Sequence, residues 1–322
     1  FSLNTDVEAI TYLQLANELI HKNNPYALTD EEEKIISNLT KSFLNSEALQ
    51  RHIAVFINKG SMYKIENNNL MYHALVPLCS DGSLKKVNIG NVSLSGKRLF
   101  DYIDAMVRKL YYNKQNNSQY DLDLMWYLWC GADSPFFGKD KMTTFERVLI
   151  KDKDSHKERR NYYYTYQENR KVMENIMINF GIKDVSNAHI INGHIPVEKI
   201  NGESPLKADD AVIVIDGGFS KAYQKTTGIA GYTLVSGSTG MRIIAHEPFS
   251  SLAMAIKNNE DIHSSIDIQK SMSKRITIAD VDKGKEIKQQ INNLLLLIEA
   301  YDKGIIKENK EYKYIKVLTK NK

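Results

Sequence analysis

At Ser61 the apolar residues of this chain change their period, and that change excludes both an all-helical and an all-strand fold. Upstream, apolar residues from Val7 to Ile20 recur at helical spacing, and Thr29-Asp30-Glu31-Glu32 reads as a capping box opening a second helical stretch that Gly60 can close. Downstream, Met62-Tyr63-Lys64-Ile65, the polar turn Asn67-Asn68-Asn69 and the run Leu70 to Val76 predict a hairpin whose second strand ends at Pro77. His73 therefore falls on or near a buried strand. Ser95 can cap a helix through Phe100, Ile103 and Val107, Leu122 to Trp129 forms another apolar segment, and a helix through Val172, Ile176 and Phe180 stops at Gly181. Four strand patterns follow: Ala188 to Ile191 running into Asn192-Gly193-His194, Ala211 to Ile215 ending at Asp216-Gly217-Gly218, then Gly231 to Val235 and, after a turn, Met241 to His246. A terminal helix over residues 285–301 is amphipathic only in its first half.

Composition narrows the partners. The 322 residues are 42% apolar and 25% charged, enough for one large core or two smaller ones, and no apolar run reaches the roughly 18 to 20 residues that span a bilayer. The net charge of +4 is spread in mixed clusters such as Lys151-Asp152-Lys153-Asp154, which argues against a nucleic-acid partner. Two cysteines, Cys79 and Cys130, make neither a disulfide framework nor a cysteine-rich zinc pattern, and they suit a reducing compartment. Phe1 is not an initiator methionine and no charged-then-apolar leader follows it, so it reads as an internal position of a longer chain.

Two histidines stand where an apolar strand meets a sharp turn, the place at which a rigid sheet presents ligands at its edge: His73 and His194. Imidazole is a common nitrogen ligand for divalent metals. On spacing alone the commoner reading is blander, a core or rim histidine hydrogen-bonded to backbone. Tyr162 to Tyr164 and the pair Trp126 and Trp129 read as core or interface aromatics rather than as a base-stacking surface. His156, His189 and His246 suggest only packing or hydrogen bonding.

Several longer segments go further. Gly60-Ser61-Met62-Tyr63, residues 126–141 (WYLWCGADSPFFGKDK), Thr143 to Arg147, residues 189–197 (HIINGHIPV), residues 214–232 (VIDGGFSKAYQKTTGIAGY) and Ala245 to Phe249 resemble the class III fructose-1,6-bisphosphatases of bacteria, from about Pro25 to Lys307. That family resembles calcineurin-type metallophosphatases, in which two metal ions, usually manganese, sit at the edge of a β-sandwich flanked by helices. The resemblance implies an α+β fold: the C-terminal half of a metallophosphatase-type αββα sandwich with N-terminal and C-terminal helices. It also implies a division into a helical segment (1–60), the half-sandwich (61–250) and a helical extension (251–322).

By the same resemblance His73 and His194 are ligands of one metal, the second of the pair. The motifs that supply the remaining ligands and the catalytic histidine are absent from this sequence, so no residue here is given a general acid or base role. Ala74 stands where the family has glycine after the first histidine, and its methyl group narrows the approach to the metal. Arg160, with Arg159 beside it as the fallback, matches the phosphate arginine of related phosphatases, and Tyr223 is a substrate contact on the loop from Asp216. A solvated arginine pair on a charged turn remains an equal reading. The implied protein is a cytoplasmic, manganese-dependent enzyme of gluconeogenesis acting on fructose 1,6-bisphosphate, with the N-terminal half of the same enzyme as partner and a homo-oligomer as a further possibility. The competing expectations are a non-catalytic phosphatase half that serves as a binding module, and a related phosphatase with another ester substrate.

Overall fold

The computed structural model describes residues 27–113, 116–248, 251–259, 261, 263–271 and 274–307. The helical pattern predicted from Val7 to Ile20 lies outside them. Thr29 opens α1 (Asp30–Leu44) with the predicted capping box: its hydroxyl accepts from the Glu32 amide while the Glu32 carboxylate accepts from the Thr29 amide. The stretch expected to run on to Gly60 breaks at Asn45. Ser46 then accepts from the Leu49 amide and caps α2 (Glu47–Lys59), which Gly60 ends. Neither helix buries a residue, and Leu39, Phe43 and Phe56 lie exposed.

The chain divides into two compact units, one drawn from residues within 1–232 and 246–262, the other from residues within 233–245 and 263–322. The first contains β1 (Tyr63–Glu66), β2 (Asn69–Tyr72), the small hairpin β3 (Val87–Ile89) and β4 (Val92–Leu94), then α3 (Gly96–Tyr112), α4 (Gln119–Cys130), α5 (Thr144–Leu149), α6 (Tyr163–Tyr166) and α7 (Arg170–Asn179). It continues with β5 (His189–Asn192), β6 (Leu206–Lys207), β7 (Val212–Val214) and α8 (Lys221–Thr227). Five of the strands form a sheet in the order β1-β2-β5-β7-β6. Its middle three are parallel, with Leu70 opposite Ile190 and Ile190 opposite Val212, and all three residues are fully buried. That explains why these strands read as unbroken apolar runs rather than alternating ones. Leu99, Phe100 and Ile103 of α3 and Met173, Ile176 and Met177 of α7 supply much of the remaining core, and the rings of Phe100, Phe180 and Tyr63 meet edge to face at 5.0 to 6.2 Å.

Strand β2 stops at Tyr72, five residues before Pro77, the expected end. Ala74 to Leu78 are nonetheless buried, so their apolar character reflects core packing of an irregular segment and not strand pairing. In α4, Trp126 and Trp129 meet edge to face at 5.0 Å yet stand about 60% exposed, which places them on the surface and outside the core.

In the second unit, β8 (Gly231–Gly237), whose first two residues belong to the first unit, pairs with β9 (Gly240–His246). After α9 (Leu252–Asn258) of the first unit comes β10 (Ser264–Ser271), which completes a three-stranded sheet in the order β10-β9-β8. His263 leads into β10, in which Ile266 and Ile268 alternate with polar neighbours at the period of a strand. The chain's last described helix, α10 (Asp282–Asp302), exposes Leu294 to Ile298. The fold is thus mixed α+β, as the change of period at Ser61 requires. No helix among the described residues is long and apolar enough to cross a membrane.

Candidate metal centre

Because β2, β5 and β7 run parallel, their C-terminal ends meet at one edge of the sheet, where ligands of open parallel sheets usually bind. His73 follows β2, Gly193 and His194 follow β5, and Asp216 lies two residues past β7. The sheet's pairing continues one step into the turns, since the Gly193 amide donates to the His73 carbonyl at 2.9 Å. That bond draws the two histidines together. His73 Nε2 lies 3.1 Å from His194 Nδ1, with the rings at 76° to one another.

The other nitrogen of His194 settles which tautomer it holds. Nε2 is 3.1 Å from the Phe137 carbonyl, which can only accept, so Nε2 carries the proton and Nδ1 turns a lone pair toward His73. A backbone carbonyl that orients an imidazole in this way is the usual support of a metal-binding histidine. His194 also has φ 75°, a left-handed conformation uncommon for a residue with a side chain and one that tends to persist where neighbours enforce it. The pKa of His73 is lowered, first by burial of its ring and then by the His194 charge, against a smaller opposing pull from Asp216. Low basicity keeps the imidazole neutral near pH 7, the form that donates to a metal.

The pair opens on a pocket of about 510 Å³ whose walls include Met62, Tyr63, Phe136, Ile215, Asp216 and Phe219. Ala74 is buried and forms no part of that wall, so its methyl group does not narrow the approach. Among the described residues no group of three or more His, Cys, Asp or Glu side chains is arranged to hold a metal ion.

The other expected site residues lie elsewhere. Arg160 is exposed, its guanidinium 6.0 Å from the centre of the Tyr164 ring, and it lines a smaller neighbouring cavity rather than the histidine pocket. Arg159 is exposed, and its amide donates to the Asp140 carboxylate at 2.8 Å. Tyr223 is 53% exposed on α8 and is not part of the pocket wall. Sequence reasoning identified the loop after β7 but passed over Asp216 and Phe219, which face the pocket. It also passed over Asn192, whose signal was a polar residue closing an otherwise apolar strand. The Asn192 Nδ2 donates to the Ala74 carbonyl and to the Tyr163 hydroxyl, both at 2.9 Å, and so ties the two histidine-bearing turns together. His189 and His156 behave as read: His189 is buried with Nδ1 at 2.9 Å from Asn69 Oδ1, and His156 Nε2 meets the Ile150 carbonyl at 2.7 Å.

Glu158 anchors the segment that leads to the arginines. Burial of its carboxyl would raise the pKa, but hydrogen bonds from Lys139 Nζ and from the Thr143 amide and hydroxyl, with the Lys139 charge, bring it down to about 2. The folded pKa lies below the ordinary 4.5, so this contribution is whole above pH 4.5 and is lost as pH falls toward 2. Glu158→Gln is expected to lower stability at pH 7 by about 1 to 2 kcal/mol, allowing for solvent screening, and to flatten the acid limb of a urea-midpoint profile.

Comparison with known proteins bears on the same chain. The model of the Firmicute fructose-1,6-bisphosphatase family matches residues 3–303. A fructose-1,6-bisphosphatase class 3 from Clostridium botulinum (strain Loch Maree / Type A3) is 50% identical over 294 residues, 91% of this chain and 44% of that protein. One from Clostridium novyi (strain NT) is 50% identical over 291 residues, 90% of this chain and again 44% of that protein. The chain therefore spans less than half the length of these relatives. No solved structure matches it significantly. With the family model covering nearly the whole chain and half of the aligned residues identical, the chain belongs to the Firmicute fructose-1,6-bisphosphatase family.

Proposed function

We propose that this chain is the C-terminal part of a manganese-dependent fructose-1,6-bisphosphatase, a cytoplasmic enzyme of gluconeogenesis, and that His73 and His194 hold one ion of a dinuclear centre. The observation that carries the reading is the 3.1 Å approach of two imidazole nitrogens at the C-terminal edge of a parallel sheet. It is the spacing of adjacent ligands around an ion with metal–nitrogen bonds of about 2.1 Å. The donor set fits half a site. Manganese favours oxygen donors, so carboxylates from the remainder of the enzyme would have to complete it. Once bound, the paired ions would activate a water for attack on the phosphate ester and neutralise charge on its oxygens.

The chain's own residues do the positioning. Phe137 fixes the ring of His194, Asn192 and Gly193 fix the two turns against each other, and Met62, Phe136, Ile215 and Phe219 give the pocket apolar wall. The test is phosphate release by the full-length protein with manganese, comparing fructose 1,6-bisphosphate with glucose 6-phosphate and other sugar phosphates. Release from fructose 1,6-bisphosphate at the highest kcat/KM is expected; preference for another ester would leave the phosphatase chemistry and change the substrate.

A second reading, a non-catalytic half that binds a partner, draws on the lack of a third ligand among the described residues. Both readings expect the isolated chain to bind manganese weakly, with its electron paramagnetic resonance signal remaining that of the free ion at micromolar metal. They part on the full-length protein, which under the second reading binds no manganese and releases no phosphate.

A further inference from the structure

Helix α10 buries one residue, Gly284, in its first turn, where a Cβ would strike the Ile278 carbonyl. Beyond that turn Ile287, Ile291, Leu294, Ile298 and Tyr301 follow at steps of four, three, four and three residues, and each is between 40 and 59% exposed. They occupy positions d, a, d, a and d of a heptad. Towards either end of the helix these are the only large apolar side chains, which is the narrow seam of a coiled coil and not the broader face that packs on a globular core. The opposite face is closed on itself by polar pairs along the helix, Lys283 with Glu286, Gln289 with Asn293 and Lys303 with Glu299, as a face turned to water is.

The seam is its own complement. Turned end for end about Leu296, it sets Leu294 against Ile298 and Ile291 against Tyr301, so two antiparallel copies interlock in four layers with every contact made twice. The residues flanking the seam choose that direction. In an antiparallel pair e faces e and g faces g, which brings Lys288 against Asp302 of the second copy at both ends of the overlap. A parallel pair would instead set Lys283 against Lys288 and Leu297 against Asp302, one like-charge contact and one mismatch on each side. The antiparallel arrangement also accounts for the run Leu294 to Ile298. Its middle is where the flanks meet their own counterparts, Leu295 with Leu295 and Leu297 with Leu297, so positions d, e, g and a are all covered there and only Leu296, at f, faces away.

We propose that α10 is a self-association surface, pairing antiparallel with α10 of a second copy of this chain about a two-fold axis at Leu296. Neither histidine enters the argument, which stands apart from the phosphatase reading. Analytical ultracentrifugation of the chain and of the full-length protein at micromolar concentration tests it, and a dimer is expected in both. Ile298→Asp is expected to return both to monomers with an unchanged circular dichroism spectrum, because Ile298 is exposed and supports no core of its own chain. Lys288→Glu is expected to weaken the dimer about tenfold, since two attractive pairs become repulsive, and Lys288→Glu combined with Asp302→Lys to restore it. Monomers in the wild type, or a dimer that Ile298→Asp leaves intact, overturn the proposal. A dimeric chain with a monomeric full-length protein would mean that the remainder of the longer protein covers the seam, and overturns it too. Failure of the charge swap to restore the dimer overturns the antiparallel pairing.

Discussion

His194→Asn in the full-length protein is expected to lower manganese affinity by more than 100-fold and phosphate release with it, while leaving the fold intact. Asparagine is chosen because position 194 has φ 75°, a left-handed conformation that asparagine adopts more readily than most residues, so the backbone turn survives. What disappears is the nitrogen facing His73 at 3.1 Å. Loss of an outer-shell partner alone typically weakens a metal site by roughly 10- to 100-fold, and removing the ligand itself exceeds that. Isothermal titration with manganese, paired with circular dichroism, measures both parts. An unchanged manganese affinity in a folded variant would remove His194 from the metal centre and with it the proposed enzyme mechanism. His73→Ala is expected to act in the same direction, and the double variant to be little worse than either single one, because one ion loses its footing in each case.

Gly217→Ala is expected to destabilise the chain by about 3 kcal/mol, near the upper end of what overpacking usually costs. A Cβ at position 217 would lie 2.7 Å from Gly231 Cα and 2.8 Å from the Gly231 carbonyl carbon. Both are backbone atoms, so no side chain can swing aside to make room. The loop after β7 passes the start of β8 with only glycine on either side, and a Cβ on Gly231 would in turn strike the Phe219 ring at 2.8 Å. Relief requires moving the loop that carries Asp216 and Phe219, which also form the wall of the histidine pocket. A urea midpoint shifted down at constant slope is the expected result. A midpoint within about 0.5 kcal/mol of the wild type would show that the two backbones do not meet as described.

The legible parts of this chain were the local ones. The capping box at Thr29 and Glu32, the stop of α7 before Gly181, and the strand ending at Asn192-Gly193 each depend on a few neighbouring residues whose hydrogen bonding and backbone freedom are intrinsic. Where a pattern could be met in more than one way, the sequence was ambiguous. Leu70, Tyr72 and Ala74 to Val76 are apolar because they are buried, and only β2's pairing with β5 decides that strand geometry ends at Tyr72. Arg160 stood at a plausible place in the chain, yet its direction was set by the bridge between its backbone and Lys139, which turns it to the smaller cavity.

The meeting of His73 and His194 shows the division most clearly. That each ends an apolar strand at a sharp turn could be read from a handful of adjacent residues, since strand period and turn chemistry are short-range properties. That Nε2 of one reaches Nδ1 of the other, across 121 residues of chain, could not. It follows from parallel pairing of β2 with β5 in the register that sets Leu70 opposite Ile190, from the Gly193 amide bond to the His73 carbonyl, and from the Phe137 carbonyl that turns the second ring. Register is a choice among long-range pairings that share the same local pattern, and only burial of the whole core selects one of them.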